Sequence, residues 1–403
     1  MPSLILFDAS DVRTQLLPFT FTRPVAAIRC GVLTLAEKWG HWLDTEPSYA
    51  TERYLGGLFP FTLSGDHLYV DGSLCPNRRL VEVIGELPAE SFLRSAKDRS
   101  VLAVRTVSAT WADEHETVGL KEYIFPGEYV AIQNLWDIFA ENGAQIISDY
   151  ELLTANRTPQ ALDDPYTRCY APENIFIEEG VTIRAAILNA EGGPIYLGRN
   201  ATVSEGAIIQ GPFALGEGAV IGQGAKIRPN TTVGPYCKVG GEVNNSVFFG
   251  YSNKGHDGYL GNSVIGEWCN LGANTNNSNL KNDYTHVKLY NYATQTLEDT
   301  GQTFCGLFMG DYTKTGIGTM FNTGTVVGVN VNVFGAGFQP KHIPSFSWGG
   351  AAEGFAPYRF DKALAVIKET MRRREEELGE EREAMLRVIL NDRLSKLVTR
   401  TYT

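Results

Sequence analysis

Aliphatic residues recur at every sixth position through the middle of this chain, and this period constrains its fold more than any other feature. The run is unbroken across eight positions: Leu197, Val203, Ile209, Leu215, Ile221, Ile227, Val233 and Val239. Glycine often follows the aliphatic residue, as at Gly198 and Gly234, and is expected to permit a corner. A six-residue period does not fit an α-helix, whereas repeated units stack as a solenoid. We therefore predict a left-handed parallel β-helix from about Asn174 to about Val333.

Three stretches interrupt the hexads. They are Val243 to Gly258, Ser278 to Thr303, and the segment that leads to Trp348. Insertions in a solenoid form loops, often on its binding face. Functional side chains are therefore expected in these interruptions.

The chain before the repeat has a different pattern. Apolar runs such as SLILF and RSVLAVR alternate with helix-like segments such as VLTLAEKWGHWL, which predicts an α/β, Rossmann-like domain with a mainly parallel sheet. After the repeat, a glycine- and aromatic-rich arm leads into an amphipathic helix or a helical pair broken near Gly379, either a packing element or a clasp between subunits. The predicted domains are residues 1–165, 166–345 and 346–403.

Composition narrows the class of partner. A net charge of -11 argues against nucleic acid or an anionic membrane, which usually meet a basic surface. The six cysteines form no CxxC pair, which predicts reduced thiols. No long apolar stretch and no basic, signal-like N-terminus is present. We expect a cytoplasmic protein whose partners are small molecules.

The segment KGHDGYLGNSVIGEWCNLGANTNNSNL concentrates polar side chains where the repeat is interrupted. It resembles the acetyltransferase half of the bifunctional N-acetylglucosamine-1-phosphate uridyltransferase/glucosamine-1-phosphate acetyltransferase family. The shared pattern is a histidine, two residues, Tyr-Leu-Gly, a hexad ending in Ile-Gly, and Asn-x-Gly-Ala. In this chain these elements are His256, Tyr259 to Gly261, Ile265 to Gly266, and Asn270 to Ala273.

The resemblance implies roles for several residues. His256 would be the general base, and Tyr259, Asn270 and Asn279 would hold the amino sugar. It also implies a homotrimer that binds acetyl-CoA between neighbouring β-helices. The chemistry agrees, because attack on a thioester requires a neutral amine, and a histidine with a pKa of roughly 6.5 accepts its proton near neutral pH.

A sugar phosphate also requires a cation. Arg228 resembles the family's Arg-Pro phosphate contact, and a guanidinium binds phosphate through two hydrogen bonds. The family's lysine pair is missing, since Gly241 to Asn245 stand in its place; Lys254 is a candidate substitute and Lys288 a candidate pocket lysine. Each assignment has a purely structural alternative. Arg228 would be a solvated corner residue, and His256 a loop histidine whose hydrogen bonds are satisfied within the protein. Tyr259 and Asn270 would be corner and ladder residues of the solenoid.

The opening of the chain resembles the nucleotidyltransferase half of an alternative bacterial branch of the same family. The resemblance rests on Leu17-Pro18, Thr22 to Pro24, Ile28 to Gly31, and the WDIF motif at Trp136 to Phe139. It implies uridylyl transfer from UTP with Mg²⁺. The family's glycine-rich phosphate loop is absent.

Three residues are candidates to compensate for the missing loop. Arg13 and Arg23 would supply positive charge to the nucleotide, and Asp71 would hold Mg²⁺, which proteins usually bind through one or two carboxylates plus phosphates. A turn aspartate in Asp-Gly explains Asp71 equally well.

These features together predict a bifunctional transferase of UDP-N-acetylglucosamine biosynthesis, with acetyl-CoA as co-substrate. One alternative is a single-activity sugar-1-phosphate nucleotidyltransferase whose β-helix only oligomerises. The other is a non-catalytic scaffold that binds sugar nucleotides, which the missing glycine loop favours.

Overall fold

The computed structural model describes residues 2–63, 65–108 and 117–400, with the backbone alone for residues 393–400. The chain divides into two compact units. The first comprises residues 1–28 and 33–135, and the second comprises residues 29–32 and 136–403. Among the described residues, no helix combines the length and the apolar character that crossing a membrane requires.

The first unit is built on a six-stranded sheet in the order β2-β1-β3-β6-β5-β7. The strands are β1 Ser3–Phe7, β2 Ser48–Ala50, β3 His67–Asp71, β4 Leu74–Cys75, β5 Ser91–Ser95, β6 Val101–Thr106, β7 Lys121–Phe125 and β8 Val130–Ala131, of which β4 and β8 form a separate ribbon. β1 is parallel to β2 and β3, and β5 is parallel to β7.

The α/β class is confirmed, and the pairing is more mixed than the mainly parallel sheet predicted. β6 lies antiparallel to both β3 and β5. The connection from Ser95 to Val101 is a short turn, and a parallel pair would need a crossover of a dozen or more residues. The loop length therefore dictates the antiparallel pair.

Helices cover one face of this sheet. They are α2 Leu35–Leu43 and α3 Arg78–Gly85, whereas α1 Ser10–Gln15 follows β1 in the chain. Leu6 of β1 packs in one core cluster with Trp39 of α2 and Leu80 of α3, while Ile5 belongs to a second cluster with Tyr69. Successive residues of a strand point to opposite faces, so both faces of the sheet are buried.

The hexads of the second unit form a parallel β-helix with three faces, as predicted. The first face holds nine strands: Ile175–Ile177, Ile195–Leu197, Phe213–Leu215, Thr231–Val233, Val247–Gly250, Val264–Glu267, Leu307–Met309, Thr325–Val327 and His342–Ile343. Leu197 stands in register with Leu215, which stands in register with Val233, and all three are fully buried. The hexad period therefore corresponds to one side of each coil.

The other two faces are each split into two sheets. The second face holds Thr182–Ile183, Thr202–Val203, Val220–Ile221, Lys238–Val239, Asn253–Lys254, and then Lys314–Thr315, Asn332–Val333, Ser347–Gly350 and Gly354–Pro357. The third face holds Arg168–Tyr170, Ile187–Asn189, Ile208–Gln210, Lys226–Ile227, Glu242–Asn244, Tyr259–Gly261, and then Asn276–Asn277, Met320–Phe321 and Phe338–Gln339. The coils thus extend beyond the predicted span at both ends, into segments that lack the aliphatic period.

The glycines that follow the aliphatic residues have a different role from the one expected. Neither Gly198 nor Gly234 has a positive φ; left-handed residues such as Asn200 make the turns instead. A Cβ at Gly234 would lie 2.1 Å from the Phe249 carbonyl oxygen of the next coil, and one at Gly198 would lie 2.8 Å from the Leu215 carbonyl oxygen. Close stacking of the coils, rather than backbone conformation, requires these glycines.

Residues 278–303 form an excursion from the coils, and its Tyr290 stacks on His342 of the first face. It contains the antiparallel hairpin Lys288–Asn291 with Thr296–Asp299. Its two ends meet, because the Cys305 amide donates to the Asn279 carbonyl at 2.8 Å. The first-face strand Val264–Glu267 pairs directly with Leu307–Met309 across this insertion.

Four helices complete the second unit: α4 Asp137–Ala140, α5 Asn142–Thr154, α6 Phe360–Arg372 and α7 Glu380–Arg400. α5 packs against the first-face strands Phe213–Leu215 and Thr231–Val233. This unit therefore begins before the domain boundary expected near residue 165. The predicted helical pair of the tail, broken near Gly379, is confirmed.

Candidate functional site

Arg228 and Tyr259, both selected from the sequence, lie along one line on the third face of the β-helix. Lys226, Glu242 and Tyr259 are in register on successive strands, and Arg228 follows the first of these. The Arg228 guanidinium lies 3.5 Å from the Glu242 carboxylate, and both side chains are more than one-third exposed. Exposed pairs contribute about 0–1 kcal/mol, so a ligand phosphate can replace Glu242 at little cost. Sequence reasoning did not identify Glu242.

Asn279 extends this line on the next coil. Its side-chain amide donates to the Tyr259 hydroxyl at 3.0 Å and to the Asn262 side-chain oxygen at 2.8 Å. Because the Tyr259 hydroxyl oxygen accepts this hydrogen bond, its own hydrogen remains available to donate to a ligand. Tyr259 is further fixed by its backbone amide, which donates to the Asn276 side chain at 2.7 Å.

His256 occupies the corner immediately before the Tyr259–Gly261 strand, and its side chain is exposed. Beneath it, Lys254 is 1% exposed and donates to the carbonyl oxygens of His256 at 2.9 Å and Gly240 at 3.1 Å. Burial lowers the pKa of this ammonium to about 8. Lys254 therefore fixes the corner from inside the solenoid, and does not replace the missing lysine pair as a surface cation.

Asn270 and Lys288 lie elsewhere on the second unit. Asn270 bridges Asn253 and Lys314 on the second face, one face away from Tyr259. Lys288 is exposed on the hairpin, and its carbonyl oxygen accepts from Lys341 at 3.4 Å. Neither side chain has a described contact with the Tyr259–Asn279 pair, so their substrate-binding roles stay predictions.

In the first unit, Asp71 ends β3 beside the end of β1, where Phe7 is its register partner and Asp8 follows. Its carboxylate accepts from the Ser73 amide at 2.8 Å and is 8% exposed. Burial, reinforced by repulsion from Asp8 and Asp11, raises its pKa to about 6 against the Ser73 hydrogen bonds.

The fit of Mg²⁺ at this position depends on the donors available. No group of three or more histidine, cysteine or carboxylate side chains suited to a metal occurs among the described residues. Mg²⁺ commonly takes one or two carboxylates and completes its shell with substrate phosphates and water. Repulsion from Asp8 and Asp11 on the buried Asp71 carboxylate favours a cation held in that way. Both oxygens of Asp8 are already engaged, by the Val25 amide at 2.8 Å and by Arg13 at 3.0 Å.

Arg13 and Arg23 are both buried in the first unit, at 8% and 5% exposure. Arg13 donates to Asp8, to the Thr20 and Arg23 carbonyl oxygens and to the Tyr54 hydroxyl. These bonds fix the loop between α1 and α2. The nucleotide-binding roles of both arginines stay predictions.

A test of the Asp71 environment follows from the raised pKa. The pKa of the Asp71 carboxyl is 3.8 in the unfolded chain and about 6 in the folded unit. Ionised Asp71 therefore destabilises the fold, and the loss of stability grows as the pH rises from about 4 to 6. We expect Asp71→Asn to be more stable than the parent above pH 6 and similar to it near pH 4. Urea unfolding at both pH values measures this. Parallel pH profiles for the two proteins would contradict it.

One family model matches the chain. Residues 4–158 match the family described as sugar nucleotidyl transferase. The N-terminal α/β domain is thus nucleotidyltransferase-like, which marks the protein as a transferase. No curated protein matches the chain.

Solved structures that are similar to this chain have low sequence identity and low TM-scores. The polySia-specific acetyltransferase NeuO is 12% identical with a TM-score of 0.27, over 49% of this chain and 85% of that chain. An Arabidopsis UDP-N-acetylglucosamine acyltransferase is 14% identical with a TM-score of 0.25, over 52% and 78%. The corresponding Campylobacter jejuni enzyme is 16% identical with a TM-score of 0.21, over 56% and 95%.

Proposed function

We propose that this chain is a bifunctional transferase of UDP-N-acetylglucosamine synthesis in the cytoplasm. Its β-helix transfers the acetyl group of acetyl-CoA to the amino group of glucosamine 1-phosphate. The observation that carries this proposal is the line formed by Arg228, Tyr259 and Asn279 beside the His256 corner. One face thereby offers a cation for phosphate, hydrogen-bonding groups for a sugar, and a base.

The proposed acetyl transfer begins with His256, which accepts a proton from the substrate amine. The amine nitrogen then attacks the thioester carbonyl carbon, the C–N bond forms, and the C–S bond breaks. Because the substrate amine arrives as an ammonium, its nitrogen releases a second proton to solvent as the amide forms, and the departing thiolate of coenzyme A takes up the proton held by His256. No covalent enzyme intermediate is required.

A homotrimer is part of this proposal. Asn270 lies on the second face, whereas Tyr259 and Asn279 lie on the third. A site that uses all three residues therefore requires the second face of a neighbouring copy. Acetyl-CoA and Lys288 would contact the sugar phosphate at this same interface between two copies of the chain.

For the first unit, the proposed reaction joins N-acetylglucosamine 1-phosphate to UTP and releases pyrophosphate. The family match over residues 4–158 supports nucleotidyl transfer. Asp71 would hold Mg²⁺, which screens phosphate charge when bound. Arg13 and Arg23 complete the proposed nucleotide site.

Two product assays test the two activities on the intact protein. Thiol release from acetyl-CoA with glucosamine 1-phosphate measures the first, and pyrophosphate release from UTP with N-acetylglucosamine 1-phosphate measures the second. Pyrophosphate release alone would leave a nucleotidyltransferase with an oligomerising β-helix. If neither product is formed, the alternative of a non-catalytic scaffold that binds sugar nucleotides is favoured.

Arg228→Ala is expected to raise the KM for glucosamine 1-phosphate by about 10–100-fold and change kcat little, because a charge-assisted hydrogen bond to phosphate contributes about 1.5–3 kcal/mol. Arg184→Ala is the matched control, since Arg184 is also exposed and lies 3.9 Å from a glutamate, Glu205. Glucosamine without phosphate should react equally with the Arg228 variant and the parent. An unchanged KM for the phosphorylated sugar would remove Arg228 from the site.

A further inference from the structure

One inward-facing column of the β-helix holds a lysine in place of an aliphatic residue. On the second face, Lys254 stands in register with Val239, and Leu271 follows on the next coil. The preceding members of this column are all aliphatic: Ile183, Val203, Ile221 and Val239. Lys254 is as deeply buried as they are, at 1% exposure. The solenoid thus encloses an amino group where its repeat otherwise supplies methyl groups.

The Lys254 ammonium donates to two backbone carbonyl oxygens, that of Gly240 at 3.1 Å and that of His256 at 2.9 Å. Burial lowers its pKa to about 8, and attraction to Asp257 offsets this only in part. A buried charge held by neutral carbonyl groups costs free energy, so an aliphatic side chain at this position would favour folding more. Lys254 therefore points to a role other than packing.

The corner that carries His256 is held through its backbone carbonyl groups. The three successive carbonyl oxygens of residues 256–258 accept hydrogen bonds from the Lys254 ammonium, from the Asn274 amide at 3.0 Å and from the Glu242 amide at 3.2 Å. The last two donors are backbone groups, whose strength does not change with pH. Of these three bonds, the one to His256 itself thus depends on a group that titrates.

Lys254 also joins this corner to the one before it. Its second acceptor, Gly240, is followed by Gly241, where a Cβ would lie 2.8 Å from the ammonium nitrogen. Glu242 comes next, and its carboxylate lies 3.5 Å from the Arg228 guanidinium. One buried ammonium therefore connects the corner of the proposed base to the coil that carries the proposed phosphate contact.

We propose that Lys254 is a positioning residue for His256: its ammonium holds the histidine corner, and loss of its proton loosens that corner. A hydrogen bond from a charged donor is roughly twice as strong as one from a neutral donor, so a neutral amine holds the His256 carbonyl less firmly. The catalytic consequence rests on the proposed acetyl transfer. Above about pH 8, the base would be positioned less well and kcat would decline.

The surroundings of Lys254 make this dependence readable between pH 7 and 9. Inside the solenoid it is stacked between the aliphatic Val239 and Leu271. The charged groups around its two corners are Asp257, Glu242 and Arg228. Carboxyl and guanidinium groups do not ordinarily titrate in that range of pH. A transition near pH 8 at His256 would therefore report on the lysine.

Ring signals of the intact, ¹³C-histidine-labelled protein test the positioning without turnover. The chain has six histidines, and His256→Gln identifies the signal of His256. In the parent we expect this signal to show, besides titration of the imidazole itself, a second inflection near pH 8. The second inflection should vanish in Lys254→Met, whose unbranched side chain suits the aliphatic column. Lys238→Met is the matched control, because Lys238 is exposed one coil earlier on the same face, and should keep it.

Kinetics separate positioning of the base from substrate binding. At pH 7, Lys254→Met is expected to lower kcat for acetyl transfer by about tenfold or more and to leave the KM for glucosamine 1-phosphate within about twofold, because slight misplacement of a catalytic group slows the reaction step. Lys254→Arg keeps a positive charge and should restore part of kcat at pH 7.

Three results would overturn the proposal: no second inflection of the His256 signal in the parent, the same inflection in Lys254→Met, or an unchanged kcat in that variant. Absence of thiol release from the parent would reject the proposed acetyl transfer instead. The dependence of His256 on Lys254 would still be decided, because the ring signals are measured without substrates.

Discussion

Replacing His256 with alanine is expected to lower kcat for acetyl transfer by about 10²–10⁴-fold, because positioned general bases typically contribute a factor of that size. The side chain is exposed at a corner that Lys254 holds from within, so its removal leaves the underlying coil intact. Thiol release from acetyl-CoA at saturating substrates measures the change. At high pH, where the amine is already neutral, the deficit should shrink.

His286→Ala is the matched control for this substitution. His286 is also exposed and lies on the excursion that follows Asn279, where it pairs with Asp299 at 3.2 Å. We expect it to keep the parent kcat. Equal losses in the two variants, or full activity in His256→Ala, would exclude His256 as the base while leaving nucleotidyl transfer untouched.

Phe308→Ala is expected to lower the free energy of unfolding of the second unit by about 3–5 kcal/mol, the usual cost of truncating a buried phenylalanine. Phe308 is fully buried on the first face, although its neighbours Leu307 and Met309 form the inner core. Its ring lies 6.1 Å from that of Phe139 in α4. Denaturant unfolding of the parent and the variant gives the difference.

Phe304→Ala provides the comparison, because Phe304 is 48% exposed and belongs to the same stretch of chain. Its effect should stay within about 0.5 kcal/mol, as for most surface substitutions. Similar unfolding midpoints for the two variants would show that the contact between α4 and the first face contributes little to stability.

The solenoid was predictable because every inward position of a coil meets nearly the same surroundings. Repetition therefore appears in the sequence as a period, seen at Leu197, Leu215 and Val233. Sheet pairing in the first unit gives no such signal, since the place of β6 depends on contacts between distant segments and on loop length. The role of Gly234 was missed for a related reason, because its constraint comes from the Phe249 carbonyl of another coil.

The candidate site was predictable only in part. The sequence motif places Tyr259 and Asn270 eleven positions apart, yet the coil carries them to different faces. Asn279, farther along the chain, returns to Tyr259 and bonds to it. Glu242 has no motif of its own, and its place beside Tyr259 follows only from the register of the stacked strands.

The excursion between Asn279 and Cys305 leaves and re-enters the solenoid at the same place. Its hairpin nevertheless packs back on the coils, since Tyr290 stacks on His342 with ring centroids 3.6 Å apart and Val287 is fully buried. A change in the length or side chains of this excursion is therefore expected to alter the stability of the last coils as well as the surface beside Asn279.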